Sequence, residues 1–148
     1  MACADMSQAL IWIFALAAGL GIGVHGYSVW GGSAGARMAA DLGSCGAGRV
    51  GGSDVPKSAA VIMAYAGHDW MTREDPPTFS VASMDDPIAD HRFTQARTKA
   101  LKDAGIDAEI LIFGHAGHGF GAGHGTDAEG WVDEALRFWE RRLATYGR

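Results

Sequence analysis

Apolar and polar residues fall along the chain in blocks whose lengths separate helices from strands. Ala9 to Val24 is apolar nearly throughout, and no Asp, Glu, Lys or Arg occurs from Met6 to Ala36. With Ser7 as cap, this block predicts a helix from about Gln8 to Ala18, ended by Gly19 or Gly21. A helix apolar nearly all round is expected to lie buried on a sheet. His25 to Gly31 reads as a short strand, and Ala34 to Leu42 as a helix closed by Gly43. Gly43 to Lys57 is a polar, Gly-rich loop. Ala59 to Tyr65 (AAVIMAY) is an unbroken apolar run of strand length, the pattern of a strand covered on both faces. Gly67 to Pro77 is a loop, and Thr78 to Ser83 the next strand. Asp90 caps a helix reaching about Ala104, stopped by Gly105, with Phe93, Ala96, Ala100, Leu101 and Ala104 on one face. Glu109 to Phe113 is a fourth strand, and Gly114 to Gly125 a Gly/His loop. Thr126-Asp127-Ala128-Glu129 matches a capping box. It would open a last helix whose inner face is Trp131, Val132, Ala135, Leu136 and Trp139.

Strands alternating with helices imply an α/β domain, a mainly parallel sheet with helices on both faces. No internal repeat or linker divides the chain, so residues 1–148 read as one domain. Composition agrees: 48% of the residues are apolar and 20% charged, which excludes intrinsic disorder. The net charge of −5, with no cluster of Lys or Arg, argues against a nucleic-acid surface. The 22 glycines follow no three-residue period, which excludes collagen and points to tight turns. Cys3 and Cys45 belong to no CxxC or metal-ligand spacing, and two thiols without a framework suit a reducing compartment. The early apolar block lacks the basic flank of a signal peptide, and glycines interrupt it after Leu20. A buried helix, no membrane partner and a cytoplasmic protein are therefore expected, with a signal or membrane segment as the alternative reading of residues 9–24.

The chemistry is carried by Gly31-Gly32-Ser33-Ala34-Gly35, a G-x-S-x-G between a predicted strand and a predicted helix. In a nucleophile elbow this context holds the Ser on a strained turn above the sheet, and small neighbours, here Gly31 and Gly35, let the backbone pass close by. The helix start after Ser33 aims N–H groups at a developing oxyanion. Asp85 and Asp86 follow the third strand and are both candidates for the carboxylate that orients a base. Pro87 biases Asp86 toward an extended loop. His115, His118 and His124 follow the fourth strand, with His118 between two glycines. Functional groups of open α/β sheets gather at the strand C-terminal ends. Ser, Asp, His is also the chain order expected of an α/β hydrolase. The three histidines permit a zinc reading, but no helix fixes their faces and no Cys or acidic ligand is near. No metal or organic cofactor is expected. His25, His68 and His91 read as structural or exposed.

At these residues the chain resembles the α/β-hydrolase superfamily. Within it, the chain is similar to the esterase/lipase group of acetyl-xylan-type and feruloyl/acetyl esterases. YSVWGGSAGARMAADLG resembles the elbow, PPTFSVASMDDP the acid-bearing strand and turn, and GHGFGAGHGTDAEGWVDEALRFW the histidine loop and final helix. The likeness runs from about Gln8 to Trp139. It implies Ser33 as nucleophile, Asp86 as acid and His118 as base, with the N–H of Ala34 as an oxyanion donor. It also implies a small-molecule ester substrate with a small acyl group on a sugar or phenolic alcohol. The likeness begins at the helix before the elbow strand, so the first strands of the fold and its HGGG-type oxyanion loop have no counterpart. The uncharged edge Tyr27-Ser28-Val29-Trp30 is thus expected to be open and to pair with a second copy in a homodimer. Two rival readings stay open: a hydrolase fragment weakened by the missing loop, and a metal-binding or interaction module built on the Gly/His loop.

Overall fold

The structure is a computed structural model that describes residues 2–46 and 55–146. The middle of the expected Gly-rich loop, 47–54, lies outside the described residues. Four strands, β1 (Ser28–Gly32), β2 (Ala60–Ala64), β3 (Thr78–Ser83) and β4 (Ala108–Phe113), form one sheet in chain order, and every pairing is parallel. Helices α1 (Ala2–Leu20), α2 (Ala34–Cys45), α3 (His91–Asp103) and α4 (Trp131–Leu143) complete the order the apolar blocks predict.

β2 and β3 are buried at every residue: β2 is the unbroken apolar run expected of a strand covered on both faces, whereas β3 (TFSVAS) also buries Thr78, Ser80 and Ser83. Successive side chains of a strand point to opposite faces. Val61 and Met63 accordingly pack with Ala36, Ala39, Ala40 and Leu42 of α2. Ala60, Ile62 and Ala64 pack with Trp131, Ala135 and Phe138 of α4. Phe138 replaces Leu136 and Trp139 at the centre of the inner face of α4: it is fully buried against Phe79, whereas Leu136 is 38% exposed. The Thr126–Glu129 segment is a turn before the helix, not its cap. The Thr126 hydroxyl accepts from the N–H of Ala128, Glu129 accepts from the N–H of Gly125, and α4 starts only after Gly130.

Two helices depart from expectation. α3 buries Thr94, Arg97, Thr98 and Leu101 and leaves Phe93 exposed. The reason is polar. Arg97 pairs with the Asp75 carboxylate and donates to the Trp70 carbonyl, Ser44 donates to the same carboxylate, and Thr94 donates to the Ala66 carbonyl. A buried pair met by this many partners pins the 67–77 loop against α2 and α3, and removing one member would strand the other. α1 is not the buried helix expected. It begins well before Ser7, whose hydroxyl donates to the Cys3 carbonyl from inside the helix. Met6, Leu10 and Ile11 reach the core, while Trp12, Ile13, Leu16 and Leu20 are exposed. Among the described residues β1 is the last strand on this side, so none of them places sheet surface under the outer face of α1. By length and composition alone, Cys3–Leu20 is apolar enough to cross a membrane, a test that core helices and signal sequences also pass.

Candidate active site

The site forms where β1, β2, β3 and β4 end. After Gly32 the chain turns sharply through Ser33, at φ 53° and ψ −123°, and enters α2 at Ala34. An L-residue at positive φ is strained. Here the N–H of Ser33 donates to the Ala64 carbonyl at 2.9 Å, and its carbonyl accepts from the N–H of Ala36 at 3.0 Å. The close approaches fall on Gly31 and Gly32. A Cβ on Gly31 would strike the Gly35 carbonyl, and one on Gly32 would strike the Tyr65 phenol ring. Gly35 itself has open space where a Cβ would sit, so its expected packing role moves to Gly32. The first N–H groups of a helix have no intrahelical acceptor, and Ala34 is the first residue of α2.

The structure brings Ser33, His118 and Asp86 together. His118 Nε2 is 2.9 Å from Ser33 Oγ, and His118 Nδ1 is 2.8 Å from Asp86 Oδ2. Asp86 has a fully buried side chain, and its other oxygen accepts from the N–H groups of Ile88 and Ala89 at 2.8 and 2.9 Å. With Oδ1 held this way, Oδ2 is left to the imidazole.

Asp85 does something else. Its Oδ1 accepts from the Ser83 hydroxyl at 2.5 Å and from the N–H groups of Gly117 and Ala116 at 2.8 and 3.2 Å. The Ser83 hydroxyl, then these backbone donors and His115, hold its pKa down at about 2. Asp85 therefore ties the histidine loop to the end of β3. Asp127 adds a second tie, accepting from the N–H of His115 at 2.8 Å. Gly117, Gly119, Gly121, Gly123 and Gly125 all take positive φ, a winding that side-chain-bearing residues rarely adopt. Trp131 Nε1 donates to the Gly121 carbonyl and fastens the loop to α4.

The zinc reading finds no support in this arrangement. His118 is turned inward to Asp86, while His115 is 84% exposed and lies 3.5 Å from Asp85. Among the described residues no group of three or more His, Cys, Asp or Glu could hold a metal ion.

Sequence reasoning missed three contributors. Ser83, at the end of β3, donates to Asp85 and accepts from the N–H of Ala116. Tyr65, at φ 42°, packs edge-on against His118 and Phe120, with ring centroids 5.4 and 4.8 Å apart. Its signal was a polar-tipped aromatic at the end of an apolar strand. Arg37, one turn into α2, joins Ser33, Ala34, Tyr65, Ile88 and His118 in lining a cleft of about 220 Å³. A larger cavity of about 270 Å³, between α1 and α2 and lined by Cys3, Asp41 and Cys45, does not include these groups.

No family model matches the chain, and no curated protein matches it. Solved structures do. The carboxylesterase Cest-2923 from Lactobacillus plantarum superimposes with a TM-score of 0.79 at 18% identity, covering 99% of this chain and 69% of that one. The acetyl ester-xyloside bifunctional hydrolase from Caldicellulosiruptor lactoaceticus gives 0.75 at 20% identity, covering 98% and 66%. MGS-M1, an alpha/beta hydrolase enzyme from a Medee basin deep-sea metagenome library, gives 0.76 at 20% identity, covering 96% and 64%. The chain thus spans about two thirds of the length of the structures it matches. Its parallel sheet, its helices and these superpositions agree on one architecture: the chain has the α/β-hydrolase fold.

Proposed function

We propose that this chain hydrolyses carboxylic esters with Ser33 as nucleophile, His118 as general base and acid, and Asp86 as the orienting carboxylate. The observation that carries the reading is the continuous hydrogen-bonded path from Asp86 Oδ2 through His118 to Ser33 Oγ. Ser33 Oγ attacks the carbonyl carbon while His118 Nε2 takes its proton. Asp86 accepts from Nδ1–H, fixing the tautomer and stabilising the imidazolium that forms. The negative charge that collects on the carbonyl oxygen meets the N–H of Ala34. His118 then gives its proton to the leaving alcohol. Water attacks the acyl-enzyme by the same route, returning Ser33 and releasing the acid.

The cleft of about 220 Å³ is smaller than the roughly 300–1,000 Å³ of ordinary ligand pockets. Ala66, Gly67 and Ala89 in its lining are small, so we assign a short acyl group, of the acetyl class, to the substrate. The matched structure named as a carboxylesterase supports ester hydrolysis in general, and the one named as an acetyl ester-xyloside bifunctional hydrolase is the one whose name includes an acetyl ester. A fluorophosphonate probe is expected to label Ser33. Ser33→Ala is expected to lower kcat on p-nitrophenyl acetate by about four orders of magnitude or more. Equal rates for the two proteins would remove the reading.

A further inference from the structure

Arg37 stands four residues beyond Ser33 on α2, about 6 Å along the helix axis, and lines the same cleft as Ser33 and His118. Arg92 holds Asp90, Arg97 holds Asp75, Arg137 holds Glu134, Arg141 holds Glu109 and Arg142 holds Asp107, while Arg73, like Arg37 without a partner among the described residues, does not line this cleft. Arg37 is exposed and makes no ion pair or hydrogen bond among the described residues. Asp41, one turn further along α2, lines the other cavity, with Cys3 and Trp70. No Asp or Glu lines the cleft that holds Arg37. The Asp86 carboxylate beneath it is fully buried and spent on His118 and two backbone donors.

Charge around the cleft sharpens the point. The chain as a whole carries −5, so its general field repels anions. An attraction at this spot is therefore local. His68, just beyond Gly67 of the cleft wall, is buried. Burial pushes its pKa below the ordinary histidine value, the charges of Arg97 and Arg37 push the same way, and Asp41 and Asp69 oppose them. A neutral imidazole offers no rival cation, and Arg37 is left as the one charged side chain in the cleft lining among the described residues. A guanidinium presents a planar fork of donors that fits a carboxylate through two parallel hydrogen bonds.

We propose that Arg37 is a specificity residue that pairs with a carboxylate on the substrate, so that the preferred esters are anionic, with the charge a few atoms from the scissile carbonyl. This deepens the ester-hydrolase reading and rests on it. The carboxylate could sit on the acyl or the alcohol side, and the two are separable by substrate. p-Nitrophenyl hemisuccinate against p-nitrophenyl butyrate places the charge in the acyl group. 4-Acetoxybenzoate against phenyl acetate places it in the alcohol.

The quantity to measure is the ratio of kcat/KM for the anionic to the neutral member of each pair, corrected for the uncatalysed rates. In the wild type it should exceed about tenfold for at least one pair. Arg37→Gln should collapse that ratio toward one, chiefly through KM, and Arg37→Lys should restore part of it. A wild-type ratio at or below one in both pairs would overturn the proposal, as would a ratio that Arg37→Gln leaves unchanged. If no ester is turned over and Ser33 takes no fluorophosphonate, the hydrolase reading has failed separately. The Arg37 assignment is then decided by binding of N-(4-nitrophenyl)succinamate against N-(4-nitrophenyl)butyramide, followed by ligand-observed NMR. Tighter binding of the anion that is lost in Arg37→Gln supports it. Equal binding in the two proteins overturns it.

Discussion

The two helices at the ends of the chain meet the sheet in opposite ways. α4 sinks Trp131, Ala135 and Phe138 between Ile62, Phe79 and Val81, and its Trp139 donates to the Gly26 carbonyl at 2.7 Å. α1 lies over the margin of the sheet and leaves Trp12 at 62% and Leu20 at 56% exposure. Both helices are rich in large apolar residues, so composition does not explain the contrast. Position does: α4 covers the two central strands, while α1 sits beside β1, whose outer edge has no partner strand among the described residues. Of the groups proposed for catalysis, His118 is fastened on the α4 side through the 114–130 segment, Asp86 follows β3, and Ser33 lies between β1 and α2, the helix against which α1 packs.

The sharpest way to test that division is at the hydrogen-bonded path itself. Asp86→Asn keeps shape but reverses the proton preference at His118 Nδ1, and is expected to lower kcat by about 10⁴-fold. Esterase kinetics beside a thermal melt should show the rate lost and the fold kept. Asp85→Asn is the matched control, since Asp85 contacts the loop and not the imidazole of His118. A larger loss from Asp85→Asn would exchange their roles.

Next in size is packing. Phe138→Ala opens a cavity under α4 and should cost about 3–5 kcal/mol. Trp12→Ala removes a side chain already in solvent and should fall within about 0.5 kcal/mol. Urea denaturation of both variants measures the gap. The same Trp12 change, paired with Leu16→Ser, should raise the concentration at which the chain stays monodisperse by light scattering. Exposed apolar faces beside an unpaired strand edge favour self-association. Comparable destabilisation at Trp12 and Phe138 would erase the contrast.

The smallest effect lies in acid. The folded-state pKa of Asp85 is about 2, below the ordinary aspartate value of about 3.9. Its tether is therefore complete above pH ~4 and weakens as the pH falls through ~2. Amide exchange at Ala116 and Gly117 should quicken over that window relative to β2, and Asp85→Asn should flatten the difference.

β2 was legible because it is an uninterrupted apolar run, and such runs have few other homes, whereas β3 interleaves Thr78, Ser80 and Ser83 with apolar residues and was marked mainly by the loops around it. The turns that carry Ser33 and His118 were legible from their glycines, Gly31, Gly32 and Gly35 around the first and Gly117 and Gly119 beside the second. Asp85 and Asp86 were not separable from residues alone, because both follow β3 and both accept backbone hydrogen bonds. Only the fold of the loop decides which one meets His118. The face of α3 was misread because periodicity counts apolar residues, and this helix turns Arg97 inward toward Asp75, a partner 22 positions away. α1 was misread because an apolar sequence states what a helix would bury, not whether a surface is there to bury it.

Ser33 and Tyr65 are the two non-glycine residues at positive φ among the described residues. They end neighbouring strands and share the wall of one cleft. Each such conformation costs roughly 1–2 kcal/mol for an L-residue. Selection for thermal stability alone would carry both positions toward glycine, which adopts the same angles without strain. In the proposed reaction the strain at Ser33 accompanies the nucleophile, and that at Tyr65 sets the ring that packs against His118. A laboratory lineage evolved for heat resistance without an activity screen should lose these two side chains before it loses the sheet beneath them.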